Sequence, residues 1–160
     1  MIELEYIKNI TKIKTRIDTC DRIVGYLQEE YSSNVRNKSN LNSRMYDYIS
    51  NILVGIYENI QIRKVKLTEI LCKYLMDYVS YEQSLSKEEQ EQLIGNFFIK
   101  EMMVNILKSD LELYLMLING DIYRNFINLT YKYCSDFSNN LTVSKAYEDI
   151  IKRNNYVKKH

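Results

Sequence analysis

Apolar side chains recur at alternating intervals of three and four residues along the first part of the chain. This spacing averages 3.5 residues and is the a/d pattern of a coiled coil or of a long bundle helix. It predicts one helix from about Ile2 to about Tyr31, which either runs the length of a bundle or pairs with a second copy. The residues of this series are Ile10, Ile13, Ile17, Cys20, Val24, Leu27 and Tyr31.

The middle of the chain predicts a loop followed by one or two helices. Residues 32–43 are rich in Asn and Ser and form the predicted loop. Residues 60–67 alternate in polarity and contain β-branched side chains, which predicts a turn or kink, with Thr68 as the N-cap of a further helix. An unbroken helix over 43–82 is the alternative. The apolar face after the loop consists of Met45, Ile49, Ile52, Leu53, Ile56 and Ile60.

Helix starts are marked more sharply in the second half. Ser86 and Ser109 are each followed three residues later by Glu, which is the capping-box pattern. Asn119-Gly120 predicts the end of a short helix, and Asp121 is the predicted cap of the next one. A last helix is predicted over 143–153. The sequence thus predicts an all-α, single-domain bundle of about six or seven helices over 1–153, with a flexible basic tail at 154–160.

Composition agrees with long helices and a reducing environment. The chain has 46% hydrophobic residues, no Pro and four Gly, which disfavours folds made of many short strands. We expect Gly25, Gly55 and Gly95 to lie inside helices at close crossings. The three cysteines are far apart and form no CxxC pair, so we expect buried free thiols. The abundance of Ile, Asn, Lys and Tyr indicates an AT-rich genome, such as that of a bacterium, phage or virus.

Catalytic residue types are scarce. The only histidine is His160, the last residue, so histidine triads and the common zinc and di-iron motifs do not occur. Glycine-rich phosphate-binding loops do not occur either. We therefore predict a protein that is not an enzyme and that needs no cofactor and no metal.

The N-terminal sequence has no basic segment followed by an apolar run, and the apolar stretches are too short to span a bilayer. We expect a cytoplasmic protein without a membrane span, located in the host cytoplasm if the source is a virus or phage.

Two residue classes suggest partners. Six tyrosines crowd the span 41–83, and at mixed helical phases they cannot all point inward, so we expect some of them to bind a partner. Basic residues cluster on the first helix and near the predicted kink, a pattern that also suits phosphate contacts, although the net charge is only +1. The tyrosines are Tyr46, Tyr48, Tyr57, Tyr74, Tyr78 and Tyr81, and the basic residues are Lys8, Lys12, Arg16, Arg63, Lys64 and Lys66.

The sequence therefore favours a non-catalytic protein–protein interaction module, such as an adaptor, chaperone or inhibitor. A homodimer paired as a coiled coil through the first helix is one predicted arrangement, with Ile10, Ile13, Ile17, Val24 and Leu27 at its interface. A nucleic-acid-binding helical protein that uses its basic faces is the alternative.

Overall fold

The computed structural model describes residues 2–109 and 120–134, together with residues 113, 145, 148, 149 and 152. All regular elements in these residues are helical, which confirms the all-α class for this part of the chain. A 3-10 turn at Lys38–Asn40 lies between the first two helices. Five α-helices are present there, fewer than the six or seven expected: α1 (Ile2–Arg36), α2 (Ser43–Gln83), α3 (Lys87–Glu91), α4 (Asn96–Ser109) and α5 (Asp121–Tyr133).

The long N-terminal helix is confirmed and extends further than predicted. It has 35 residues and ends at Arg36 rather than near Tyr31. Asn34 explains part of the extension, because its buried side-chain amide donates to Ser50 Oγ at 2.9 Å and to the Tyr46 carbonyl at 3.4 Å. The polar segment predicted as a loop is therefore partly helical.

The predicted turn or kink at 60–67 is wrong, because α2 is one helix of 41 residues. β-branched residues cost only a few tenths of a kcal/mol each in a helix, and no Gly or Pro breaks the segment. Lys64 Nζ lies 2.7 Å from Asp21 Oδ1, which ties this part of α2 to α1. Thr68 is not an N-cap, since its hydroxyl donates back to the Lys64 carbonyl at 2.8 Å.

The capping box at Ser86 is confirmed. Ser86 Oγ accepts from the Glu89 amide at 3.2 Å, and Glu89 Oε1 accepts from the Ser86 amide at 3.3 Å. The helix that it starts ends after five residues, however, and the chain resumes as α4 at Asn96. The apolar residues Leu93, Phe97 and Ile106 predict one continuous helix from Ser86 through this region. The observed break has a distant cause in the side chain of Glu3.

Two further helix starts differ from expectation. The N-cap of α5 is Gly120, so Asp121 is the first helical residue rather than the cap. Ser109 is the last residue of α4, and the rest of its predicted capping box, at 110–112, lies outside the described residues. The predicted helix over 143–153 and the tail lie largely or wholly outside them as well.

The chain divides into two compact units. The core unit contains residues 1–10 and 69–160, and the hairpin unit contains residues 11–68. In the core unit α4 packs on α5, and the centre is filled by fully buried side chains. The prediction of a single domain over 1–153 stays a prediction. The largest of the fully buried side chains in this unit are Tyr78, Phe126, Ile10, Leu71, Leu75, Ile99, Met103 and Leu107.

The hairpin unit is a pair of antiparallel helical segments, one from α1 and one from α2. The Asn34–Ser50 hydrogen bond lies near the connecting loop, and the Lys64–Asp21 ion pair lies further from it. Asn42 closes the loop by accepting from the Met45 amide at 2.8 Å, as an N-cap side chain does.

Cysteine and glycine predictions have different outcomes. Cys20, Cys72 and Cys134, all within the described residues, are buried and form no disulfide, as expected. Gly25 and Gly55 lie in helices but not at crossings, since a Cβ at either would meet nothing within 4 Å. Gly95 lies in the break between α3 and α4, where a Cβ would come within 2.7 Å of Ile7 Cδ1.

Candidate interaction surface

A buried carboxylate, that of Glu3, links the start of α1 to the break between α3 and α4. Its oxygens accept from the backbone amides of Ile94 at 3.2 Å and Gly95 at 3.3 Å, and Tyr78 Oη donates to it at 2.7 Å. A backbone amide that donates to Glu3 does not donate to the carbonyl four residues earlier, as it would in a continuous helix. These hydrogen bonds explain why the chain breaks between α3 and α4.

A second buried carboxylate, that of Glu82, extends the network. It accepts from Asn96 Nδ2 at 3.1 Å and from the Tyr133 hydroxyl, and its backbone carbonyl accepts from Gln90 Nε2 at 2.9 Å. Asn96 Oδ1 lies 2.7 Å from Tyr78 Oη, so the two carboxylates belong to one network. Every partner is a group of the same unit, which is the arrangement of a structural network.

Burial also perturbs three tyrosines of the core unit. Burial first, and then a neighbouring carboxylate, raises the pKa of Tyr78, Tyr123 and Tyr133 far above the usual value for tyrosine. The carboxylates belong to Glu3, Glu69 and Glu82, respectively. These hydroxyls stay protonated while the protein is folded, so none of them supplies a phenolate at neutral pH.

Spectrophotometric titration should reveal these three hydroxyls. The folded protein should leave at least three of its 15 tyrosines un-ionised at a pH where denatured chain ionises all of them. Because the folded pKa values are raised, their stabilisation is complete below about pH 10 and is lost as pH rises above it. Equal numbers of tyrosinates in the folded and denatured chains would contradict the assignment.

The structure separates the six tyrosines of the predicted binding span. Tyr78 is fully buried, and Tyr46, Tyr74 and Tyr81 are half-buried. Lys38 Nζ lies 4.8 Å from the centre of the Tyr46 ring, and Tyr81 stacks on Tyr6 with centroids 5.0 Å apart. The two exposed members are Tyr48 and Tyr57.

The predicted self-association residues of α1 are largely covered within the chain. Ile10, Ile13 and Ile17 are buried, and Val24 and Leu27 are half-buried. A charge at Ile17 would therefore disturb the fold of the hairpin unit as well as any pairing of α1.

The predicted basic residues are mostly exposed but interleaved with acids. Five of the six are exposed, and the half-buried Lys64 is held by Asp21. Lys14, which lies between two of them on α1, pairs with Asp18. The exposed residues are Lys8, Lys12, Arg16, Arg63 and Lys66.

Exposed large apolar side chains concentrate in the hairpin unit. Two helices can cover only one face of each other, so apolar residues at other phases remain in solvent. A surface with this many exposed apolar side chains marks an interaction site. They are Tyr26, Tyr31, Val35, Met45, Tyr48, Ile52, Val54, Ile56, Tyr57 and Ile62.

Part of this surface is concave. A groove of about 290 Å³ lies between the two helices of the hairpin unit. A second depression shares Gln28 and Ser32 with it and reaches Arg36. The sequence pattern identifies Tyr31 as the end of the first apolar series and Leu53 as part of the apolar face of the next helix. It does not show that the two residues line one groove. The groove is lined by Leu27, Gln28, Tyr31, Ser32, Leu53, Val54 and Tyr57.

Other classes of site find no support in the described residues. Within them, no group of His, Cys, Asp and Glu is arranged to hold a metal ion. No helix in the same part of the chain has the length and apolarity that crossing a membrane requires. Comparison with protein families, with characterised proteins and with solved structures finds no match to this chain.

Proposed function

We propose that this chain is a non-catalytic protein-binding module that holds an acidic amphipathic helix of a partner protein in the groove of the hairpin unit. The observation that carries the proposal is the groove itself, which has an apolar floor formed by Leu27, Leu53 and Val54 with Tyr31 and Tyr57. Grooves between helices are a common receptor for the apolar face of a partner helix.

The positive charge of the hairpin unit indicates that the partner helix carries acidic residues. The hairpin unit contains ten basic and six acidic residues, a net charge of +4, while the whole chain carries only +1. Arg36 and Glu29 line the extension of the groove, and Lys38 follows Arg36 in the connecting loop. A helix with acidic residues on the flanks of its apolar stripe complements this distribution.

Tyrosine supplies much of the binding energy in this proposal. Tyr31 and Tyr57 border the groove, are each partly exposed, and combine a rigid ring with a polar hydroxyl. Such residues are enriched among those that dominate binding energy at interfaces. The Tyr57 hydroxyl is held by Gln61 Nε2 at 3.0 Å, which orients the ring.

Replacing Tyr31 by Ala should weaken binding of the partner helix about tenfold or more. The probe is a set of synthetic helical peptides with apolar residues at i, i+4 and i+7 and glutamates on both flanks, measured by fluorescence anisotropy at low and high salt. Tyr26→Ala is the matched control, since Tyr26 lies on the same helix, is exposed and does not line the groove. Binding of no peptide, or equal loss in both variants, would overturn the proposal.

Nucleic acid is the competing outcome of the same experiment. Single- and double-stranded oligonucleotides are tested beside the peptides, with a variant in which Lys12, Arg16 and Arg63 are changed to Glu. Oligonucleotide binding that falls steeply with salt and disappears in this variant would favour the nucleic-acid alternative over the groove.

An origin in an AT-rich bacterium, phage or virus and a cytoplasmic location stay predictions.

A further inference from the structure

The exposed apolar residues of α2 form a regular series that the groove does not use. The α2 seam consists of Met45, Tyr48, Ile52, Gly55, Asn59 and Ile62, at intervals of three, four, three, four and three residues. Its four large apolar members are all exposed, with Tyr48 reaching 63%. This is a heptad pattern with Met45, Ile52 and Asn59 at a and the others at d.

The α2 seam lies on a different side of the helix from the contacts with α1. Ser50 and Lys64 of α2 meet α1 through a hydrogen bond and an ion pair. Ile52 is two positions from Ser50 and Ile62 is two positions from Lys64, and each step turns the helix by about 100°. From this placement we propose that the chain forms a parallel, in-register homodimer through the α2 seam.

Gly55 and Asn59 favour a second helix as the occupant, and a copy of the same helix in particular. A Cβ at Gly55 would meet no atom of the described residues within 4 Å, so a neighbouring helix has room for close approach there. Asn59 is an exposed polar residue at an a position. Its amide both donates and accepts, and the Asn59 of a second copy satisfies both groups, which specifies a parallel pair and its register.

The charged residues beside the seam can form opposite-charge pairs between two copies of the chain but not within one copy. Glu58 occupies a g position and Arg63 the following e position, five residues later, and both are exposed. Residues five apart do not face each other within one helix. In a parallel in-register pair, g of one helix lies beside the next e of the other, so each dimer gains two Glu58–Arg63 pairs.

The α2 seam is short, but the hairpin unit allows a seam of this length to support a stable dimer. The seam spans about 27 Å at the usual rise per residue, which is too short for isolated peptides to pair stably. α2 is already helical through its contacts with α1, so association does not have to order the backbone.

Sedimentation equilibrium of the full chain across the micromolar range tests the dimer. The wild-type chain should be a dimer in reversible equilibrium with monomer, and Ile52→Lys should weaken association at least a hundredfold. Val54→Lys is the matched control, because Ile52 and Val54 have the same exposed fraction, 44%, and lie on the same helix but only Ile52 is on the seam. A monomeric wild type, or equal effects of the two substitutions, would overturn the proposal.

A charge exchange tests the parallel direction without altering the apolar surface. Glu58→Arg alone should weaken the dimer about threefold to tenfold by placing like charges together, and so should Arg63→Glu alone. The double variant should restore association to near the wild-type value. Additive losses in the double variant would exclude this pairing.

Disulfide formation tests the register directly. Asn59→Cys should cross-link to itself under mild oxidation, because a–a′ pairs in a parallel dimer are close enough for a disulfide. Asp47→Cys, an exposed c position on the side of α2 away from the seam, should remain reduced, and the three natural cysteines are buried. A dimer of the Asn59→Cys variant whose introduced thiol stays reduced is antiparallel or out of register and contradicts the proposal.

Circular dichroism confirms that each variant is folded, and peptide binding in the groove is measured separately on Ile52→Lys.

Discussion

Replacing Phe126 by Ala should lower the free energy of unfolding by about 3–5 kcal/mol, which is the usual cost of removing a fully buried phenylalanine ring. Phe126 has no exposed surface and lies on α5 in the core unit. The change removes the transfer free energy of the ring and leaves a cavity that the packed helices fill only in part. Denaturant titration followed by circular dichroism measures the loss.

Phe97 on α4 provides a control with the same side chain in the same unit. It is 70% exposed, so Phe97→Ala should change the free energy of unfolding by no more than about 0.5 kcal/mol. A loss at Phe97 comparable with that at Phe126 would show that the described packing of α4 and α5 is not the packing in solution.

Replacing Glu3 by Ala should cost about 3 kcal/mol, although the residue lies in the first turn of an N-terminal helix, where substitutions are often harmless. The carboxylate is buried and accepts from the Tyr78 hydroxyl and from two backbone amides. Its removal leaves the buried amide of Gly95 and the partly buried amide of Ile94 without this acceptor. Glu3→Gln should lose roughly half as much, since it keeps the shape and part of the acceptor capacity.

Glu5 is the matched control for Glu3. Both acids lie in the first turn of α1 and bring the same favourable charge to its N-terminus, but Glu5 is exposed. Glu5→Ala should therefore cost at most about 0.5 kcal/mol. Equal losses at the two positions would mean that only the helix dipole matters and that Glu3 does not anchor α1 to the core unit.

Local rules predicted the elements whose cause lies within a few residues. The apolar series of α1 placed Ile10, Ile13 and Ile17 on one side of the helix, and all three are buried. The Ser86 capping box depends only on residues three apart, and both of its hydrogen bonds are formed.

Elements with distant causes were not predictable in this way. The break before α4 depends on Glu3, which is 91 residues from Ile94. The continuity of α2 has a different reason: the β-branched residues of 60–67 cost too little to break a helix, and the segment contains no Gly or Pro. Local propensity alone therefore placed a break where α2 continues and a continuous helix where α3 ends.

The apolar face of α2 was predicted as one stripe and is divided in the structure. Ile49, Leu53 and Ile60 are half-buried, whereas Met45, Ile52 and Ile56 are exposed. Sequence shows that a position is apolar but not which of two apolar stripes faces the neighbouring helix. For the same reason the six tyrosines of the predicted binding span could not be sorted into the buried Tyr78 and the exposed Tyr48 and Tyr57.

Hydroxyl-radical footprinting as a function of protein concentration tests most directly whether the α2 seam, on the exposed apolar face of the hairpin unit, recognises a second copy of the chain. Tyr48 and Tyr26 are similarly exposed, at 63% and 67%, but only Tyr48 is on the α2 seam. Oxidation of Tyr48 should fall as concentration rises, while that of Tyr26 stays constant. Equal and constant oxidation of both residues would contradict this assignment.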